Sequence, residues 1–177
     1  MKLDTALVLA AKAGDAQSFT SLYEAVAPSL YRSALYTLGN SHDAEDVVSE
    51  TFLEAYHGIS GLRDPEAFGA WIYRILSARC KRKIKEYVKG RNQLDIEDFL
   101  ELPGDQDQFT EQTLQRVELV RALEQLSPRE REIVCLSVFD GYTAREIAQM
   151  LGSPQGTISA KLFRALKKMR KFLEKNQ

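Results

Sequence analysis

The chain has 177 residues, enough for one medium-sized domain or two small ones, and its 24 basic and 25 acidic residues leave a net charge of −1. Cys80 and Cys135 are too few and too far apart for a disulfide framework or a Cys-x-x-Cys metal site. No apolar run reaches the roughly 20 residues that cross a bilayer, and the short N-terminal apolar run has no cleavage site. We therefore expect a soluble cytoplasmic protein with no membrane insertion.

Apolar residues recur at helical spacing through the first part of the chain. This pattern predicts a helix over 3–13, a second over 15–28 that should end at the proline, and a third over 30–38. No segment alternates with the period of two that is typical of strands. The N-terminal part is therefore predicted to be a bundle of helices.

The next predicted helix, over 43–56, has an apolar face and an acidic face. The acidic residues are Asp43, Asp46, Glu50 and Glu54. Asp64-Pro65 then marks the start of a long helix, because proline suits the first helical position. That helix ends in a cluster of basic residues, so the sequence predicts an acidic surface and a basic surface close together along the chain.

Charge is segregated along the chain although the total is near neutral. Positions 92–115 contain no Lys or Arg and seven acidic residues, whereas positions 116–177 contain twelve basic and seven acidic residues, a net charge of +5. Pro103-Gly104 argues against a continuous helix through the acidic stretch. The order of basic, acidic and basic segments favours two domains with an acidic connection between them.

Two Ser/Thr-x-x-Glu capping boxes mark helix starts in the C-terminal part, at Ser127 and Thr143. Gly152 follows the second of these helices and suits a left-handed C-terminal cap, and Ser153-Pro154 starts a long basic helix at once. A short helix, a tight glycine turn and a longer helix form the geometry that enters the major groove of DNA. Duplex DNA is therefore the leading partner, with a helical hairpin that has a solvated basic face as the alternative.

Together these patterns predict an all-α protein with two small helical domains. An N-terminal helical bundle covers 1–90, a flexible acidic linker covers 91–110, and a C-terminal helix-turn-helix domain covers 111–177. No enzyme activity, cofactor or metal is expected. Glu54-x-x-His57 has the spacing of a di-iron ligand pair, but the chain lacks the second pair that such a site requires.

Five motifs occur in order along nearly the whole chain. They are Gly14-Asp15-x-x-x-Phe19-x-x-Leu22-Tyr23, Asp43-Ala44-Glu45-Asp46-Val47-Val48-x-Glu50-Thr51-Phe52, Trp71-Ile72-Tyr73-Arg74-Ile75, Leu126-Ser127-Pro128-x-x-Arg131 and Ile147-Ala148-x-x-Leu151-Gly152-x-Pro154-x-Gly156-Thr157-Ile158. The ordered set resembles the bacterial sigma factors of the extracytoplasmic function group, in the sigma-70 family. The resemblance implies an initiation factor that binds core RNA polymerase and promoter DNA and is controlled by an anti-sigma factor, which in this family is often anchored in the membrane.

The resemblance also implies which residues contact each partner. For core polymerase it implies the acidic helix, with Asp46, Glu50 and Leu53 as contacts. For the −10 element, which is unwound with one base captured, it implies the basic residues Arg74, Arg79, Lys81, Arg82, Lys83 and Lys85. For the −35 element in duplex form it implies Arg145, Ser159, Ala160, Lys161, Phe163, Arg164 and Lys167.

Several alternatives stay open from the sequence. Trp71 either packs in the core or stacks on a base, and Phe163 is either buried or close to a thymine methyl. The acidic linker is either an RNA mimic inside the polymerase or a plain tether. The competing function is a stand-alone helix-turn-helix regulator that binds duplex DNA as a dimer, which leaves the N-terminal half unexplained.

Overall fold

A computed structural model describes the backbone of residues 4–90 and 111–176, and their side chains except at 88–90, 111–117 and 176. Eight α-helices lie in this described part: α1 Thr5–Lys12, α2 Ala16–Leu38, α3 Ser41–Gly58, α4 Phe68–Gly90, α5 Glu111–Glu124, α6 Pro128–Val134, α7 Ala144–Leu151 and α8 Gln155–Asn176. The 3-10 turns Ile59–Gly61 and Pro65–Ala67 connect α3 to α4, and the π-helical turn Cys135–Phe139 extends α6. The all-α class is confirmed. The predicted linker lies outside the described residues, and the domain boundaries stay predictions.

Helix α2 is a single helix, so the predicted break at Pro28 is wrong. The side chains of Leu22, Val26 and Leu30 recur every four residues on both sides of the proline, and none of them has exposed surface. Burial of each large apolar side chain contributes about 1.5–3 kcal/mol. The sum over this stripe outweighs the roughly 3 kcal/mol that a proline costs inside a helix.

Helices α1 to α4 form what we call the N-terminal unit. Side chains begin two of its helices: Asp15 accepts a hydrogen bond from the amide of Ser18 at the start of α2, and Asn40 accepts one from the amide of Asp43 at the start of α3. Helix α3 packs against both α2 and α4. This packing brings the acidic face of α3 beside the basic end of α4.

Helices α5 to α8 form the C-terminal unit, in which α5, α6 and α7 each pack against α8. Ile133 of α6, Ile147 of α7 and Ile158 of α8 are at most 1% exposed. Ala165 and Met169, further along α8, are also buried and continue this apolar stripe. The stripe faces the core and leaves the opposite side of α8 to solvent.

The two units also pack against each other, a contact that the sequence did not predict. Helix α2 lies on α6 and on the π-helical turn, and α4 lies on α7. Tyr36 stacks on Phe139 with ring centroids 5.1 Å apart, and Tyr73 meets Tyr142 edge to face at 5.5 Å. The two units, which carry the predicted −10 and −35 surfaces, are therefore in direct contact in this structure.

Candidate nucleic-acid interface

The helix-turn-helix is built by the local capping that the sequence predicted. Oγ1 of Thr143 accepts a hydrogen bond from the amide of Glu146 at 3.3 Å, and the Glu146 carboxylate accepts one from the amide of Thr143 at 2.8 Å. Hydrogen bonds from the hydroxyl and the amide of Thr143 lower the pKa of Glu146. Gly152 ends α7 at φ 57°, a left-handed conformation that glycine adopts without a Cβ penalty. Only residues 152–154 separate α7 from α8, as in a DNA-binding helix-turn-helix.

Helix α6 also holds this turn. Nη2 of Arg129 donates to the carbonyl of Leu151 at 3.0 Å and to Oγ of Ser153 at 3.3 Å. Nη1 of the same side chain pairs with Glu132 at 2.5 Å. Because the last carbonyls of α7 have no partner within their own helix, Arg129 satisfies one of them and helps to fix where α8 begins.

The surface predicted to read the −35 element is open to solvent. Lys161 is half-buried, and the other six residues are exposed: Arg145, Ser159, Ala160, Phe163, Arg164 and Lys167. The side chain of Phe163 is 70% exposed, so the alternative that it is buried is wrong. An exposed aromatic ring beside arginine and lysine side chains can contact a thymine methyl while the cations contact guanine or phosphate.

The predicted −10 residues on α4 lie in a different electrostatic setting. Arg79 donates to Glu54 at 2.6 Å and to Glu50 at 2.7 Å, and Arg82 donates to Glu50 at 2.9 Å. The hydrogen bond with Glu54 raises the pKa of Arg79. The acidic face of α3 and the basic end of α4 therefore neutralise each other instead of presenting two separate charged surfaces.

A second cluster joins the start of α3 to the C-terminal end of α4. Nζ of Lys83 lies 2.7 Å from Oδ1 of Asp43, and the hydroxyl of Tyr87 donates to Oδ2 of the same carboxylate at 2.5 Å. Burial acts to raise the pKa of Asp43, but the bonds from Lys83 and Tyr87 more than offset it and leave the pKa lowered. The bond to Asp43 raises the pKa of Lys83, so both partners stay charged near neutral pH.

The other predicted −10 residues are all exposed on α4 but differ in their contacts. Lys81 and Lys85 face solvent. Arg74, near the start of α4, is also exposed and donates from Nη2 to the carbonyl of Gln149 in α7 at 3.1 Å. One of the six residues is therefore bonded to the C-terminal unit while remaining open to solvent.

The predicted polymerase contacts lie on α3. Asp46 is exposed, the side chain of Leu53 is 63% exposed, and Glu50 is half-buried because it pairs with the arginines of α4. Tyr56 is 52% exposed and meets Phe19 edge to face at 5.0 Å. The solvent side of α3 therefore combines an acidic residue with apolar and aromatic side chains.

Trp71 packs against the core, the first of its two alternatives. Its indole lies against Gly58, where an added Cβ would come within 3.2 Å of Cζ2. Its ring centroid is 5.9 Å from that of Phe68. The absence of a side chain at Gly58 allows this approach.

A polar junction at Asp140 joins the two units. The Asp140 side chain is 3% exposed and accepts hydrogen bonds from Oγ of Ser29 at 2.7 Å, Nη2 of Arg32 at 2.9 Å and the hydroxyl of Tyr73 at 2.9 Å. Burial, followed by the negative charge of Asp140, raises the pKa of Tyr73, so this hydroxyl keeps its proton and donates. The donors lie 67 to 111 residues away in sequence, so helical periodicity gave no signal for this junction.

In the part of the chain that the structure describes, no helix is long and apolar enough to cross a membrane, and no group of three or more His, Cys, Asp or Glu side chains could hold a metal ion. Cys80 and Cys135 are free thiols, and burial raises the pKa of each. Neither thiol is set up to react as a thiolate.

Comparison with known protein families matches the two units separately. The family described as Sigma-70 region 2 matches residues 22–89, and the family described as Sigma-70, region 4 matches residues 116–169. The first match runs from within α2 nearly to the end of α4. The second includes the helix-turn-helix.

Curated relatives align along most of the chain. The RNA polymerase sigma factor SigV of Bacillus subtilis is 30% identical over 145 residues, which cover 79% of this chain and 81% of SigV. The ECF RNA polymerase sigma factor SigM of Mycobacterium tuberculosis is 28% identical over 170 residues, which cover 96% of this chain and 84% of SigM. BldN of Streptomyces coelicolor is 29% identical over 174 residues, 94% of this chain, but the alignment spans only 64% of BldN.

Two solved structures share the fold. CnrH, in complex with the cytosolic domain of CnrY, has a TM-score of 0.74 and 22% identity, covering 98% of this chain and 99% of CnrH. The sigma factor RpoE from Bartonella quintana, in complex with the anti-sigma factor NepR, has a TM-score of 0.70 and 20% identity, covering 91% of this chain and 99% of RpoE. The all-helical fold with two units is thus common to these proteins.

Proposed function

Because the chain belongs to the sigma-70 family of RNA polymerase sigma factors, in its extracytoplasmic function group, we propose that it is an initiation factor. It binds core RNA polymerase and directs it to promoters with −10 and −35 elements. One observation carries the proposal. A region 2 match on a helical bundle precedes a region 4 match on a helix-turn-helix whose reading face is exposed. A stand-alone regulator would need only the second.

The −35 element is assigned to α7 and α8. Arg164, exposed on α8, is the residue for a bidentate contact with guanine, and Phe163 meets a thymine methyl. Lys161, Lys167 and Arg145 contact phosphates, which position the helix without reading sequence. Ser159 and Ala160 lie on the same exposed part of α8 and allow it to approach the groove closely.

The −10 element is assigned to the basic side of α4. Lys81 and Lys85 are accessible to the phosphates of the unwound strand. Arg79, Arg82 and Lys83 contribute only when phosphate replaces the carboxylates of α3 as their partner. Arg74 contributes only when it leaves Gln149.

Core polymerase is assigned to α3, through Asp46, Glu50 and Leu53. Leu53 supplies exposed apolar surface, and Asp46 supplies a charge that is outside the arginine network. Glu50 belongs to that network, so a partner that binds Glu50 also changes the partners of Arg79 and Arg82. Core binding and −10 binding are therefore expected to affect each other.

An anti-sigma factor is the proposed regulator. The support is by analogy, since RpoE was solved with the anti-sigma factor NepR and has the same fold. Because the chain spans 64% of BldN and 63% of SigE from Mycolicibacterium smegmatis, the partners of those proteins are carried over only as a proposal. The protein is expected to act in the cytoplasm, as an initiation factor with no catalytic activity of its own.

Co-elution with core RNA polymerase tests the proposal. We expect a stoichiometric complex on size-exclusion chromatography, and promoter-dependent transcription from the mixture. Leu53→Asp should weaken the complex, because it places a charge in an apolar contact without disturbing the core. Leu9→Asp is the matched control, since Leu9 is a leucine 52% exposed on α1.

The outcomes separate the candidate functions. No complex with several bacterial cores, from protein shown to be folded and free of inhibitor, would contradict the initiation factor. Specific duplex binding as a dimer would then favour the stand-alone regulator. A complex that Leu53→Asp leaves unchanged would keep the function but remove Leu53 from the contact.

A further inference from the structure

One side chain holds the turn of the helix-turn-helix from outside it. This is Arg129 of α6, which bonds to the turn but is not among the residues assigned to DNA. We propose that Arg129 is a positioning residue for duplex recognition: it sets the direction in which α8 leaves the turn, and with it the sequence that α8 reads. This inference rests on the assignment of the −35 element to α7 and α8.

The guanidinium of Arg129 joins three parts of the C-terminal unit. Nη1 pairs with Glu132 of α6 at 2.5 Å. Nη2 donates to the carbonyl of Leu151, the last residue of α7, at 3.0 Å and to Oγ of Ser153 in the turn at 3.3 Å. Because a guanidinium is planar and its N–H groups point in fixed directions, these bonds fix how the end of α7 lies relative to α6. A lysine ammonium has no such planar arrangement of donors.

The backbone of the turn leaves one acceptor for Arg129 to bind. The amides of Gly152 and Ser153 both donate to the carbonyl of Ala148. The carbonyl of Leu151 lies at the end of α7, where no later turn of the helix supplies a donor. Nη2 of Arg129 lies 3.0 Å from it, closer than the hydroxyl of Ser153 at 3.4 Å. An eight-residue helix is also too short to be stable by itself, so contacts with other helices fix where α7 ends.

A small change of direction at the turn is amplified along α8. Arg164, the residue assigned to guanine, is ten positions beyond Pro154, which is about 15 Å at a rise of about 1.5 Å per residue. A tilt of about 10° at the turn would therefore move its backbone by about 2–3 Å. Donor–acceptor distances in hydrogen bonds vary over only about 0.5 Å. A tilt that leaves every helix folded would thus still break base contacts.

The next residue of α6 also holds α8. Both carboxylate oxygens of Glu130 accept hydrogen bonds from Nζ of Lys168, at 2.8 and 3.0 Å. Helix α6 therefore contacts the turn and a point about four helical turns further along the chain. The Lys168 side chain is half exposed, so water screens this ion pair. Arg129, whose side chain is 24% exposed, makes the less screened of the two contacts.

Arg129 itself is not free to bind phosphate. Its charge is paired with Glu132, whose side chain is only 9% exposed. If Arg129 turned towards DNA, it would leave this largely buried carboxylate without its cation, which is strongly unfavourable. Arg129 therefore acts on DNA through α8, and its loss should change which sequences bind more than how strongly DNA in general binds.

Selection from a pool of short random-sequence duplexes tests this role with the full chain. The unmodified protein should enrich particular sequences, and the ratio of its affinity for an enriched duplex to its affinity for the unselected pool measures specificity. Arg129→Lys, which keeps the charge, and Arg129→Ala should lower this ratio by about tenfold, the size of one well-aligned base contact. Affinity for the pool and the salt slope should stay unchanged, since no phosphate contact is removed.

Arg170→Lys is the matched control. Arg170 is an exposed arginine of α8 whose carboxylate partner, Glu174, lies on the same helix. The specificity ratio should not change in this variant. Thermal unfolding should show that all three variants are folded at the temperature of the binding assay.

Hydrogen exchange followed by NMR reports on the turn without DNA. The amides of Ser153, Thr157 and Ile158 make the hydrogen bonds that close the turn and begin α8. In Arg129→Lys these amides should exchange several-fold faster than in the unmodified protein, because the turn opens more often. In Arg170→Lys their exchange should be unchanged.

The outcomes distinguish this role from simpler ones. An equal loss of affinity for enriched and unselected duplexes would make Arg129 merely structural. A normal ratio in Arg129→Lys with a smaller salt slope in Arg129→Ala would make it a phosphate contact. Either result, or an unchanged ratio in both variants, overturns the positioning role while the proposed function stands. If the unmodified protein enriches no sequence, the −35 assignment itself fails, and the positioning role fails with it.

Discussion

The two basic surfaces of this protein look alike in sequence but differ in the structure. On α4, Arg79 and Arg82 lie 2.6–2.9 Å from carboxylates of α3. On α8, Arg164 and Lys167 are exposed, and Lys168 is the lysine that pairs with an acid of another helix, Glu130 of α6, at 2.8 Å. The number of basic residues in a segment therefore does not give the charge that it can offer to DNA.

The difference has a thermodynamic consequence. A free cation that binds phosphate releases condensed counterions, which makes binding favourable and dependent on salt. A cation that already pairs with a carboxylate only exchanges one anion for another when it binds phosphate, so it gains less binding free energy. We therefore expect α8 to bind DNA without help, and α4 to depend on a partner that engages the acids of α3.

The largest change in DNA affinity should come from removing a base-reading side chain from the exposed surface of α8. Arg164→Ala is expected to weaken duplex binding by about 1–3 kcal/mol and to relax the preference at one base pair, since arginine is the residue for a bidentate guanine contact. Lys167→Ala is the matched variant and should weaken binding equally for all sequences, with a smaller salt slope. Fluorescence anisotropy over a salt series measures both. Equal sequence preference in the two variants would remove Arg164 from base recognition.

The second-largest change in DNA affinity should come from removing the carboxylates that pair with the arginines of α4. The cations of α4 would then be free, like those of α8. Glu50→Ala combined with Glu54→Ala frees Arg79 and Arg82, so affinity for single-stranded DNA should rise by about tenfold at low salt and the salt slope should steepen by up to about two. Glu24→Ala combined with Glu45→Ala, at exposed acids of α2 and α3, removes the same two negative charges and is the control for the change in net charge. If the control raises affinity as much as the double variant, general charge and not the ion pairs sets the difference.

A smaller effect should follow from loosening the helix-turn-helix itself. Thr143→Ala removes the cap of α7, and caps of this kind contribute about 1 kcal/mol. Thermal unfolding should show a lower midpoint, and duplex affinity should fall modestly because α8 is positioned by α7. Ser127→Ala removes the equivalent cap of α6 and should lower stability with less effect on DNA. Equal loss of duplex affinity in both would show that positioning by α7 is not specific.

The smallest effect concerns the ion pair behind the recognition helix. Burial acts to raise the pKa of Glu130, but Lys168 and the capping bonds from Ser127 more than offset it and lower the pKa to about 2. A lowered folded-state pKa means that the stabilisation is full above the ordinary value of 4.5 and is lost as the pH falls towards 2. Because Lys168 is half exposed, solvent screening limits the contribution to about 1 kcal/mol. Glu130→Gln should therefore lower the unfolding midpoint at pH 6 and make less difference at pH 3; a constant difference would contradict this origin.

Local features were predictable because they act over a few residues. Both capping boxes and the left-handed glycine at Gly152 are confirmed, since each depends on residues within four positions of the helix end. The break at Pro28 was wrong because packing along α2 overrides a local preference. The position of Phe163 beside the apolar stripe of α8 could not decide its exposure, which depends on how the other helices pack around α8.

The sequence by itself determined the all-helical class, the capping boxes, the helix-turn-helix and, through the ordered motifs, the family. Only the tertiary structure decided which charges stay free: the pairing of Glu50 with Arg79 and Arg82, and the burial of Asp140 against Ser29, Arg32 and Tyr73. The physical reason is distance along the chain. Helical periodicity and capping act between residues three or four positions apart, whereas these partners are 29 to 111 positions apart and meet only when whole helices pack.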